Sequence, residues 1–72
     1  MEKSYQIVIG SPVEYDQLIA EVVMNGKYIC FLQQEEGREK LIIEFYGDMK
    51  KEKIYLEDFL EALSVAKNTL LK

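Results

Sequence analysis

Three residues could carry chemistry in this chain. Glu21 and Glu44 offer a carboxylate pair, the arrangement used for general acid and base work, and Cys30 is the only thiol. Each lacks what the chemistry needs. The 72 residues include no histidine, so the usual general base and the usual partner of a nucleophile are missing. Cys30 sits among Tyr28, Ile29, Phe31 and Leu32, with no cationic neighbour to lower its pKa, and reads as a small core residue. The carboxylates fall on what reads as an open sheet face, without the dry, concave surroundings that shift a pKa. One cysteine and no histidine exclude a Cys/His zinc site and an internal disulfide. The four glycines are isolated and form no phosphate-binding loop. The expectation is no enzyme, no cofactor and no metal.

The element that must position these residues is a meander of strands at 18–24, 27–33 and 40–46. Asn25-Gly26 suits a two-residue type I′ hairpin, because both positions take positive φ. That turn pairs Met24 with Lys27, Val22 with Ile29 and Ala20 with Phe31. Glu35-Glu36-Gly37 reads as a three-residue loop with glycine at its left-handed position. It pairs Gln34 with Arg38, Phe31 with Leu41 and Ile29 with Ile43. Paired residues share a face and neighbours alternate. This register gives a core face of Leu18, Ala20, Val22, Ile29, Phe31, Leu41, Ile43 and Phe45. The outer face then carries Ile19, Glu21, Val23, Tyr28, Cys30, Leu32, Ile42, Glu44 and Tyr46, with Glu21 and Glu44 flanking Tyr28.

An earlier strand is expected at 4–9, ended by Gly10-Ser11-Pro12; its place in the sheet is not legible. The stretch from Ser11 to Val23 supports two readings. Ser11-Pro12-Val13-Glu14 resembles a capping box, and Tyr15, Leu18, Ile19, Val22 and Val23 fit a helical stripe. The β-branched residues and the Asn25-Gly26 turn favour a short turn at 11–17 followed by a strand. Gly47 to Lys53 is a polar connection without interleaved aromatics. Ile54-Tyr55-Leu56 could add a short edge strand at 53–56. A C-terminal helix is expected at 57–71, where Leu56, Phe59, Leu60, Leu63, Ala66 and Leu70 recur at three and four. Its acids lie near the N-terminus and its lysines near the C-terminus, which suits the helix dipole. At ~22 Å it matches a seven-residue strand, so it can cover the core face in one crossing. The fold class is α+β: one domain, 1–72, with an antiparallel sheet covered on one face by a C-terminal helix.

The net charge of −4 is concentrated between Glu14 and Glu44, where seven acids face three bases. That distribution repels nucleic acid and attracts basic proteins. No apolar run approaches the ~18 residues of a membrane span, and Met1 to Tyr5 has no signal-peptide character, so a cytoplasmic location is expected. The outer face is too apolar for a solvated sheet face, and it sets tyrosines beside acids, as interface centres do. Glu21, Tyr28, Glu44 and Tyr46 are the expected partner-binding residues. Glu35, Glu36 and Glu39 at the second hairpin are the next tier. Ser4–Ile9, or the Gly10–Gln17 segment, folding over this face is the structural alternative. A homodimer through it is a further possibility.

The order of parts carries a resemblance. A strand leads into Pro12-Val13-Glu14-Tyr15, then a strand, Asn25-Gly26-Lys27, a strand, Gln33-Gln34-Glu35-Glu36-Gly37, and a strand ending Ile43-Glu44-Phe45. The chain closes with Leu56-Glu57-Asp58-Phe59-Leu60-Glu61-Ala62-Leu63 and Ala66-Lys67. From about Ile7 to Leu71 this resembles the small immunity proteins encoded beside bacterial polymorphic and contact-dependent growth inhibition toxins. The resemblance implies a cytoplasmic protein that binds the C-terminal domain of one cognate toxin, often a nuclease, and blocks it. Such families carry no catalytic residues and share no universal binding motif, so no site residue transfers. The alternative is a small self-associating structural or adaptor domain without a toxin partner.

Overall fold

The computed structural model describes residues 4–47 and 53–72. In chain order these form β1 (Tyr5–Gly10), β2 (Ile19–Met24), β3 (Lys27–Gln33), β4 (Ile42–Phe45) and α1 (Leu56–Leu70). The strands make one antiparallel sheet in the order β1-β2-β3-β4. Helix α1 packs on one face, against β1 and β2. The fold is α+β. The first strand takes the edge beside β2, with Ile7 opposite Val22.

Asn25 and Gly26 adopt φ of 53° and 78°, the pair of positive values a type I′ turn requires. That hairpin settles the ambiguous stretch before it. Residues 11–18 are irregular, with a turn in which the Tyr15 N–H donates to the Pro12 carbonyl at 3.2 Å. The helical reading of this segment is therefore not realised. Nor is the short strand at 53–56: residues 53–55 are irregular and Leu56 already begins α1. Ile54 packs against the core instead of pairing at a sheet edge.

The register departs from expectation at two places. Met24 pairs with Lys27 and Val23 with Tyr28, and then a bulge at Val22/Val23 intervenes. Ile29 is the extra residue, so Val22 faces Cys30, Glu21 faces Phe31 and Ala20 faces Leu32. The expected pairs Val22–Ile29 and Ala20–Phe31 are displaced by one. The second connection is also longer than a three-residue loop. Two successive turns close it, through Gly37 N–H to the Gln34 carbonyl at 3.0 Å and Lys40 N–H to the Gly37 carbonyl at 3.2 Å. Phe31 consequently pairs with Glu44 rather than Leu41, and Leu32 with Ile43. Both shifts are odd, so they cancel for β4 and reverse only β3 beyond the bulge. Cys30 and Leu32 belong to the core face and Phe31 to the outer face, the opposite of the expected assignment.

The core forms where α1 meets the sheet. Ala20, Val22, Met24, Ile29, Cys30 and Leu32 meet Ala62, Ala66 and Leu70. Ala62, Ala66 and Cys30 are fully buried, and their small volume lets helix and sheet approach closely. Phe59 and Leu63 pack beside this cluster. The rest of the expected helical stripe is not covered: Leu56 is 65% and Leu60 50% exposed. The helix lies over β1 and β2 instead of the whole face, leaving Phe45 of β4 56% exposed beside Phe59. Among the described residues, no helix is long and apolar enough to cross a membrane.

Candidate functional site

The sheet face away from α1 is organised by one cross-strand row. Val8, Glu21, Phe31 and Glu44 pair successively across β1, β2, β3 and β4. Glu21 and Glu44 therefore flank Phe31, not Tyr28. Two strand spacings of ~4.8 Å separate their backbones by roughly 10 Å, and the two carboxylates bond to different partners rather than to each other.

Each carboxylate is held by a tyrosine. The Tyr46 hydroxyl donates to Glu21 Oε2 at 2.6 Å. The Tyr15 hydroxyl donates to Glu44 Oε2 at 2.9 Å, and Gln33 Nε2 donates to the same oxygen at 3.0 Å. The rings continue the arrangement. Tyr15 meets Phe31 edge-on at 5.7 Å, Phe31 meets Tyr46 tilted at 5.2 Å, and Tyr28 stands perpendicular to Tyr46 at 6.2 Å. Four aromatic side chains and two carboxylates thus form one connected platform.

Both hydrogen-bonded phenols resist ionisation. Tyr15 is raised above its usual value, first by its bond to Glu44 and then by burial. Tyr46 is raised strongly, first by burial and then by its bond to Glu21. In each case loss of the proton would set a second negative charge beside a carboxylate and remove the bond that joins them. Cys30 lies on the other side of the sheet, fully buried, and burial pushes its thiol up to about 11.

The segment after β1 is fastened to this face through four successive residues, Tyr15 to Leu18. Tyr15 ties it to Glu44. Glu35 accepts the backbone N–H groups of Asp16 at 3.1 Å and Gln17 at 2.9 Å. Gln33, itself buried, connects the two attachments: its Oε1 accepts the Glu35 N–H at 2.9 Å while its Nε2 serves Glu44. Gln34 Nε2 adds a bond to the Leu18 carbonyl at 3.1 Å. The segment covers part of the face and leaves an open concavity of about 540 Å³ beside Tyr15, Phe31 and Tyr46.

The sequence-derived site residues fall into three groups. Glu21, Glu44 and Tyr46 stand within the hydrogen-bonded platform, and Tyr28, 52% exposed, stands at its margin. Glu35 is occupied by backbone amides of the preceding segment. Glu36 and Glu39 are exposed in the β3–β4 connection, away from the platform. Phe31, Tyr15 and Gln33 belong to the site without having been singled out. Phe31 joins the site because the bulge at Ile29 turns it from the expected core face to the outer face. Tyr15 and Gln33 act through contacts across 29 and 11 positions of chain, which periodicity does not report.

Among the described residues, no group of three or more His, Cys, Asp or Glu side chains is placed to hold a metal ion. No family model, curated protein or solved structure matches the chain.

Proposed function

We propose that this chain is an immunity protein, a binding domain that occupies and neutralises a cognate bacterial toxin domain, with the outer sheet face as its contact surface. The observation that carries this reading is the platform of Tyr15, Phe31, Tyr46 and Tyr28 with Glu21 and Glu44. Tyrosine supplies large contact area at low entropy cost, and side chains already bonded to one another have less freedom to lose on association. The acidic character of the face selects a basic partner and speeds its capture. A basic protein surface, such as the substrate-binding face of a nuclease, fits this description, and blocking it requires no chemistry from the inhibitor. The resemblance in element order supports the same reading.

The test is calorimetric titration with the C-terminal toxin domain encoded by the neighbouring upstream gene. One-to-one nanomolar binding that abolishes toxicity supports the proposal. Absence of binding by the folded protein overturns it.

A second reading, a self-associating structural or adaptor domain, has its own observation. Phe45, Leu56 and Leu60 are each at least half exposed on the helix side of the molecule. Large apolar side chains left in solvent favour association. Sedimentation equilibrium separates the readings: a dimer that dissociates on Phe45→Asp, together with no toxin binding, favours self-association.

A further inference from the structure

We infer that the concavity between the segment after β1 and the outer sheet face is a socket for a single arginine side chain of the partner. Its wall is aromatic, formed by Tyr15, Phe31 and Tyr46, and two carboxylates, Glu14 and Glu21, line it as well. No lysine or arginine is among the described residues that line it. Aromatic rings and carboxylates without a resident cation attract an organic cation, through the ring quadrupole and direct charge.

Glu21 is prepared for that role. One oxygen is held by Tyr46 at 2.6 Å, which orients the carboxylate. The other, Oε1, lies next to Gly10, 3.4 Å from where a β-carbon would stand. Gly10 thus keeps space open beside that oxygen. Among the described residues nothing donates a hydrogen bond to Oε1. A guanidinium suits the combination better than an ammonium, because its plane packs on aromatic rings while its fork of N–H groups meets a carboxylate. The inference rests on the protein-binding reading of this face, and a partner-free probe tests it separately.

The probe is N-acetyl-arginine amide, titrated into the full chain while the aromatic ring signals of Tyr15, Phe31 and Tyr46 are followed by NMR. Saturable shifts at these rings are expected, with the neutral citrulline analogue at least about tenfold weaker, the ratio expected from losing a partly desolvated cation–π contact. Glu21→Gln preserves an acceptor for Tyr46 but removes the charge, and should weaken the probe severalfold. Gly10→Ala is a second, independent variant. It needs no special backbone conformation, and its methyl reaches van der Waals contact with Glu21 Oε1 and fills the space beside it, so binding should fall with the circular dichroism spectrum unchanged. Equal response to the citrulline analogue, non-saturating shifts, or shifts confined to other residues would overturn the inference. Tighter binding of tetramethylammonium than of the arginine derivative would also overturn it, identifying a site for small quaternary amines. Probe binding without toxin binding would leave the socket standing and remove the immunity reading. Toxin binding without probe binding would do the reverse.

Discussion

Glu35 holds Gln17: its Oε2 accepts the Gln17 backbone N–H at 2.9 Å, while Oε1 accepts that of Asp16 at 3.1 Å. Two consecutive amides on one carboxylate give an irregular segment a fixed position on the sheet. The β3–β4 connection thereby shapes the segment after β1, although neither has regular structure of its own. Glu35→Gln retains only one oxygen able to accept. The expected result is faster amide hydrogen exchange at Asp16 and Gln17, with exchange in β2 and β3 unchanged. Equal protection in the variant would show that the segment is held by other contacts.

Alkaline pH should weaken the fold through Tyr46 and Tyr15. Both phenols have pKa values raised in the native state, Tyr46 by burial and its bond to Glu21, Tyr15 by its bond to Glu44. A group whose folded pKa lies above its unfolded value contributes stability that is fully present below the unfolded pKa, about 10 for tyrosine. That contribution is lost as pH rises through the folded pKa, because the unfolded chain releases the proton first. The urea midpoint should hold between about pH 7 and pH 8 and fall from about pH 9 upward, first through Cys30 and then, above about pH 10, through the two phenols. The Cys30 thiol, raised to about 11, acts in the same direction from a lower starting point. Tyr46→Phe should flatten the alkaline slope. An unchanged slope in that variant would mean that Tyr46 titrates alike in both states.

Cys30 should be inert in the folded protein. It is fully buried on the core face of β3, and burial holds its thiol at about 11, so little thiolate forms near neutral pH. Labelling by a thiol-specific reagent should follow global unfolding and accelerate with urea. Fast labelling without denaturant would place the side chain on the outer face, where an unbulged register would put it.

That contrast shows how far the sequence could be read. Asn25-Gly26 announced its hairpin, because two adjacent positive φ values suit few other residue pairs. The helix was legible from its stripe and the polarity of its charges. The bulge at Ile29 was not. Ile29, Cys30, Phe31 and Leu32 form a continuous apolar run, so shifting their faces by one leaves the hydrophobic pattern almost unchanged. The outer-face position of Glu44 matches the expected one only because a second odd shift, in the β3–β4 connection, restores the parity of β4. The bulge leaves the small Cys30 in the fully buried cluster that holds Ala62 and Ala66 and turns the Phe31 ring to the outer face. Ala66 has no exposed surface, so Ala66→Leu should cost about 1–3 kcal/mol by overpacking the cluster, measured by urea unfolding. A neutral result would show that the helix stands further from the sheet.

Glu44 and Tyr28 stand on one face with different obligations to the fold. Glu44 Oε2 accepts from both Tyr15 and Gln33, and the Gln33 side chain is buried. Glu44→Ala leaves that buried amide without its acceptor, which costs about 1–3 kcal/mol. In a domain of this size that is a large share of the total stability. Weaker toxin binding by Glu44→Ala would thus mix lost contact with a loosened platform. Tyr28 is half exposed, and its described contact is an edge-on approach to Tyr46, so Tyr28→Ala should leave the unfolding free energy within about 0.5 kcal/mol of the parent. Tyr28→Ala is the cleaner test of the face: weaker toxin binding at unchanged stability would assign this margin to the interface. Full affinity in a folded Tyr28→Ala variant would remove the margin from the contact surface and leave the socket beside Phe31 as the part of the face to test.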